Sequence, residues 1–313
     1  MANMKMLLVL ACIVIVVLVL FILFGQERIS TSPVTSTALQ STSIPATIST
    51  TTIAQTIYNP TSYQGQAPVI FTNNTILTGN IVTSGNITIL LRGVVVNTEG
   101  YSLISGGTFD NQGSIAAGLA TNGNESSTYS YGGSGGGGWA FGCGNAGGGS
   151  AAYNGGSSVV AGGSGLNNGF DQAAGSGTSG STPSPKLNTL DIQTMYNNNV
   201  QQYLEGAGGG SAYNCGSSES GGSGSYGVYI QADNVIAGNI NTAGQSGSGA
   251  NEEASGGGGG GAILIGYGLG GYLSGTYNYS GGAAGITEYG KAGSGGSGGI
   301  ITYNYSSSPP ITP

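Results

Sequence analysis

Glycine is the feature that most restricts this chain. Of its 64 glycines, 58 lie after residue 100, and six of them run consecutively from Gly256 to Gly261 before the apolar stretch "AILI". Ordering glycine costs more backbone entropy than ordering any other residue, so such a run folds only where the absence of side chains is itself useful. Stacked backbones that approach closely supply that use, as glycine does in collagen. The run has no strict three-residue glycine period, which excludes collagen itself. Close-packed turns or slabs remain, in a β-solenoid or a polyglycine-type stack, with "AILI" and its equivalents as buried strands.

Composition agrees with an ordered chain. Disordered chains combine low hydrophobicity with high charge, whereas this one is 38% apolar and 5% charged, with 18 Tyr. Its 12 acidic and 5 basic residues give a net charge of −7, and the missing basic patch argues against nucleic acid as a partner. It has no His, which removes the usual general base, the commonest transition-metal ligand and any Ser/His/Asp arrangement.

The chain reads in four parts. Residues 1–28 hold Met6 to Phe24, 19 residues without a charge or a proline, long enough to cross a bilayer as a helix. "FILFGQ" at its end offers no small-residue cleavage site, so a signal anchor is expected, with the rest of the chain outside the cell. A cleaved signal peptide is the alternative. Residues 29–57 are rich in Ser and Thr with scattered Pro, the composition of a disordered, O-glycosylated stalk. Residues 58–118 alternate short β-branched runs such as "ITILL" and "GVVVN" with Gly, Asn and Ser breaks, which predicts a β-rich neck. Residues 119–313 form a Gly-rich head, interrupted at 184–206 by a stretch without glycine until its end. There Pro185 can start a helix, with Leu187, Leu190, Tyr196, Val200, Tyr203 and Leu204 on one face; an insertion packing on the flank of the head is expected.

The head repeats itself. "GGSGGGGWAF" at Gly132, "GGSGSYGVYI" at Gly221, "GGGGGGAILI" at Gly256 and "GGSGGIITYN" at Gly295 share one form. The last three strands begin at Val228, Ile263 and Ile300, 35 and 37 residues apart, a spacing found in stacked repeats. "GSIAAG" at Gly113 echoes "GNINTAG" at Gly238, and "GGGSAAYNGGS" at Gly147 echoes "GGGSAYNCGSS" at Gly208. The fold class is therefore all-β: a membrane helix and a stalk, then a β-helix or β-solenoid-like head.

"GYSLISGGTFDNQGSIAAG" followed by "GGSGGGG", and "GGGGGGAILI" followed by "LSG" and "GGSGGIITYNY", resemble glycine-rich, β-helix-like, membrane-anchored surface proteins encoded by archaea and some of their viruses. The resemblance covers about residues 70–305 and implies an exported, membrane-tethered, adhesin-like or envelope protein, with no chemistry attached.

Few constellations suggest catalysis. "GGSGSYGVY" matches a calcium-binding nonapeptide except that Tyr226 stands where the metal-binding Asp belongs, so neither metal nor cofactor is expected. Glu252 and Glu253 are the one adjacent acidic pair and read as an exposed loop; as a glycosidase pair they would need to face one cleft. Cys143 and Cys215 are the only cysteines beyond the apolar segment and are candidates for a disulfide. Sequons at Asn73, Asn86, Asn124, Asn278 and Asn304 are candidate glycan sites. Most of the tyrosines read as packing residues for a core otherwise short of large side chains. The function expected is surface display or adhesion, with the bilayer as partner through residues 6–24 and envelope glycans or other surface proteins as further partners. A receptor- or carbohydrate-binding head is the alternative, and a polysaccharide-degrading enzyme the third reading.

Overall fold

The computed structural model describes residues 55–89, 92–120, 131–140, 145–146, 189–214, 217–250 and 253–305. The apolar segment 6–24, the Ser/Thr stretch, Asn124, Cys143, Cys215 and Glu252 lie outside them. All described residues belong to one compact unit, Thr52–Pro313.

Ten short strands come first: β1 (Ile57–Tyr58), β2 (Tyr63–Gly65), β3 (Val69–Phe71), β4 (Thr75–Ile76), β5 (Ile81–Thr83), β6 (Ile87–Ile89), β7 (Val95–Asn97), β8 (Leu103–Ser105), β9 (Thr108–Asn111) and β10 (Ser114–Ala116). Strands β11 (Trp139–Ala140) and β12 (Asn145–Ala146) precede helices α1 (Thr189–Asn197) and α2 (Gln201–Leu204). Then follow β13 (Ala212–Asn214), β14 (Ser217–Glu219), β15 (Val228–Ile236), β16 (Asn239–Asn241), β17 (Gly249–Ala250), β18 (Glu253–Ala254), β19 (Ile263–Tyr272), β20 (Tyr277–Asn278) and β21 (Ile300–Asn304).

The long sheets are parallel and curl part of the way round one core, and their strands stack in three series. On the first face Tyr63 pairs with Ile81, Ile81 with Leu103, Leu103 with Ile230, Ile230 with Ile265 and Ile265 with Thr302. On the second, Ile57, Val69, Ile87, Phe109, Val235 and Gly271 follow one another. On the third, Thr75, Val96, Ile115, Ile240 and Tyr277 do so. Alternate side chains of a strand point inward, and the inward columns are apolar: Val69, Phe71, Ile81, Ile87, Ile89, Val96, Leu103, Phe109, Ile115, Ile230, Val235, Ile240, Ile263 and Ile265 are buried in one core. This explains "ITILL" and "GVVVN" as strands whose interruptions are the corners.

The echoes in the sequence are stacks in the fold. "GSIAAG" lies directly on "GNINTAG", with Ser114, Ile115 and Ala116 paired to Asn239, Ile240 and Asn241. Val228, Ile263 and Ile300, which open three of the four glycine-led strands, stack in register. The fourth instance departs: Trp139–Ala140 pairs antiparallel with Glu253–Ala254 outside the solenoid. Because β15 pairs with both β8 and β9, strands of the 58–118 stretch and strands after residue 228 are consecutive coils of one solenoid. The change of texture at residue 118 marks an excursion of the chain, with no break in the sheet.

The glycines form a second layer of order. In the first coils β4 and β7 lead to β5 and β8 through short corners; later, each such corner expands into a glycine-rich excursion that leaves after β10, β16 or β20 and returns into β15, β19 or β21. Seven of these segments (131–138, 205–211, 220–227, 242–248, 255–262, 279–285 and 292–299) bind one another through backbone hydrogen bonds. Segment 255–262 is central. Its N–H groups point outward with a period of three: Gly256 and Gly259 donate to Gly210 and Ala207, Gly257 and Gly260 to Gly293 and Gly296, Gly258 and Gly261 to Gln245 and Thr242. Its carbonyls accept with the same period, Gly256 and Gly259 from Gly222 and Ser225, Gly257 and Gly260 from Gly136 and Gly133, and Gly258 from Gly282. A threefold extended chain with no internal bonds has the polyproline II form. The central segment is therefore enclosed by six neighbours.

Six consecutive glycines follow from that geometry. A Cβ on Gly256 or Gly259 would lie 2.0 or 1.9 Å from the carbonyl oxygen of Gly136 or Gly133; on Gly257 or Gly260, 2.1 Å from that of Gly282 or Tyr279; on Gly258 or Gly261, 2.1 Å from that of Ser223 or Tyr226. Every direction around the central chain is occupied by backbone. Outer segments have one direction free, and there the sequence carries Ser294 and Ser297 in "GSGGSGG", both half-buried.

Helix α1 and the following turn cover the outer side of the first face. Ile192, Met195, Val200 and Leu204 are buried against Val82, Ile104, Tyr229, Leu264, Ile301 and Tyr303. The described part of the 184–206 stretch packs on this face. Ile192 and Met195, which the sequence reading left out, are among its anchors.

Candidate functional site

The ends of the bundle away from the solenoid are where the chain reverses. β13 pairs antiparallel with β14, β17 pairs antiparallel with β18, and a third reversal is closed by a bridge between Ile286 and Lys291. Thr287 stabilises the last turn: its N–H donates to the carbonyl of Gly290 at 2.8 Å, and its Oγ1 accepts from Gly290 N at 3.0 Å. Strand β11 adds a third strand to the second hairpin, and β12 adds one to the first. Hence two small three-stranded antiparallel sheets and a loop crown the bundle. Ile286 and Tyr289 of that loop are exposed.

The backbone bonds of the bundle fix where these tips stand, so the exposed turn around Thr287 is carried on a rigid scaffold, the usual situation of binding loops.

Most tyrosines do pack. Tyr131, Tyr229, Tyr303 and Tyr305 are buried. Tyr229 and Tyr303 place their hydroxyls 3.0 Å apart, and both donate to Gln231 Oε1, at 2.7 and 3.1 Å. Burial raises the pKa of each of these two phenols, and that of Tyr305 beside Asp233. Tyr58, Tyr101, Tyr272 and Tyr289 remain exposed.

The sequons at Asn73, Asn86, Asn278 and Asn304 are all exposed. Asn86 Oδ1 accepts from Thr108 N at 2.9 Å, and Asn278 Oδ1 from Ser280 Oγ at 2.8 Å.

Two acids behave unlike surface carboxylates. Glu205, which ends α2 and enters the bundle, is 8% exposed, and burial pushes its carboxyl up to about 7. Glu253, expected in an exposed acidic loop, is instead 1% exposed in the central strand of a tip sheet. Strand pairing on both edges of β18 encloses it, a consequence of partners far away in sequence. Among the described residues no three His, Cys, Asp or Glu side chains converge.

Comparison with protein-family models, with curated proteins and with solved structures finds no match for this chain.

Proposed function

We propose that this chain is a membrane-tethered, surface-exposed structural or adhesin-like protein that displays the bundle tips. The observation that carries the reading is the polyglycine bundle. Seven Gly-rich segments are held together by backbone hydrogen bonds, and antiparallel strand pairs lie between them as tips. Apolar segment 6–24 serves as the anchor in this reading, the Ser/Thr stretch as the spacer, and the exposed sequons as sites of glycan shielding.

The alternative is a carbohydrate-binding head, favoured by exposed Tyr272 and Tyr289, whose rings combine an apolar face with a hydrogen-bonding tip. A polysaccharide-degrading enzyme is the third reading. The full chain, reconstituted in lipid nanodiscs, is incubated with intact cells and with envelope polysaccharides from its source, and retention and released sugar ends are measured together. Display or adhesion gives retention on cells that is lost when 287–290 is replaced by Gly-Ser-Gly-Gly. Saturable retention on one isolated polysaccharide would move the assignment to the alternative, and released ends to the third. Absence of retention on any surface would overturn adhesion.

A further inference from the structure

Glu253 raises a chemical problem that the fold alone leaves unsolved. Its carboxylate is buried, and neither Oε1 nor Oε2 has a hydrogen-bond partner. Removing a carboxylate from water without a partner is costly. The site therefore lacks a partner that the described residues do not provide.

The surroundings show what that partner must be. β17 and β18 form a two-residue hairpin in which Ala250 pairs with Glu253 and Gly249 with Ala254. Ser248 and Ser255 are the next pair: Ser255 N donates to the Ser248 carbonyl at 2.8 Å, and Ser248 N donates to Ser255 Oγ at 2.8 Å. Directly paired residues share a face of a sheet, and so do residues two apart on one strand. Glu253, Ser255 and Ser248 therefore lie on the same face. The two serine hydroxyls stand 3.3 Å apart, and Ser248 Oγ donates to Glu219 Oε2 from the neighbouring hairpin. One face of this tip thus gathers two carboxylates and two hydroxyls, all oxygen and none basic, with one carboxylate wholly unbonded.

We propose that Glu253, Glu219, Ser248 and Ser255 form a binding site for a hard divalent cation, calcium first among them. Calcium takes six to eight oxygen ligands, carboxylates mono- or bidentate, with water completing the shell. Glu253 supplies the buried bidentate arm, Glu219 a second charge from the adjacent sheet, and the serines neutral oxygens. The ion ties the β13–β14 hairpin to the β17–β18 hairpin, so its binding stiffens the crown of the bundle and leaves the solenoid unchanged. The site is independent of the nonapeptide-like "GGSGSYGVY", whose Tyr226 replaces the metal-binding residue.

The test is calcium binding by the full chain in nanodiscs after treatment with a chelator, measured by equilibrium dialysis and by thermal unfolding. One ion per chain and a melting temperature that rises with calcium and saturates are expected. Glu253→Gln should weaken binding by at least about tenfold and abolish the thermal response, while its metal-free form melts no lower than the metal-free parent. Glu219→Gln should weaken binding without abolishing it, and keeps the test open should the first variant fail to fold. No bound calcium at 10 mM, or a response unchanged in both variants, would overturn the site. An equal response to magnesium would overturn the assignment to calcium, since magnesium demands a tighter octahedral shell.

Discussion

At the scale of single residues, the bundle turns glycine from a permissive residue into an obligatory one. Gly259→Ala places a methyl group on the backbone of segment 131–138 and should prevent folding or cost several kcal/mol, as overpacking against immovable atoms does. Gly299 has open space around its missing Cβ; Gly299→Ala should stay within about 0.5 kcal/mol of the parent. Urea unfolding followed by circular dichroism measures both, and equal losses would refute the packing argument. Glu205 gives a pH signature. Its folded pKa, about 7, lies above the unfolded value near 4.5, so the folded state holds the proton more tightly. Stability is then full below the unfolded value and falls as pH rises toward 7, by about 2 kcal/mol or less for a partly accessible group. Glu205→Gln should flatten the melting temperature between pH 4.5 and 7.5; an unchanged slope would assign the dependence elsewhere. The glycine run announced close backbone approach. The identity of the six neighbours was not legible, because the bonded partners lie up to 127 residues apart, as Gly133 and Gly260 do.

At the scale of elements, the sequence foretold strands well and partners poorly. Alternating β-branched runs mark each solenoid strand, and the 35- and 37-residue spacing marks the coils, because stacking forces equal corners. The helix within 184–206 was legible as an element, but its buried face was not. Ile192 and Met195 point at a sheet surface that exists only after six coils have assembled. Met195→Ala should cost about 2–4 kcal/mol and expose the Tyr229–Tyr303 network to solvent, read as a rise in tyrosine accessibility to quenchers. Of the candidate site, Glu253 was misread, since a pair of acids in a Gly-rich stretch carries no sign of the strands that enclose it. Cys143 and Cys215 lie outside the described residues, and the sequence offers them as the only two cysteines beyond the apolar segment. A disulfide between them is expected. Peptide mapping by mass spectrometry without reduction should find it, and free thiols at both positions would exclude it.

At the scale of the whole molecule, solenoid and bundle are not separable. Each late coil contributes to both, and Gly261 and Ala262 pass directly from the bundle's centre into β19. Unfolding should be a single cooperative event, with far-ultraviolet dichroism and tyrosine emission changing together; two separated transitions would show that the layers melt alone.

The central place of segment 255–262 also sets an order of events in time. Its hydrogen-bond partners come from residues 133–136 on one side and 293–296 on the other, so the bundle cannot close until residue 296 has been synthesised. Contacts this remote in sequence form slowly. The nascent chain therefore stays pliant while it is being threaded and locks late. Once locked, no short segment can be withdrawn without breaking bonds to several others, which makes the finished molecule slow to come apart.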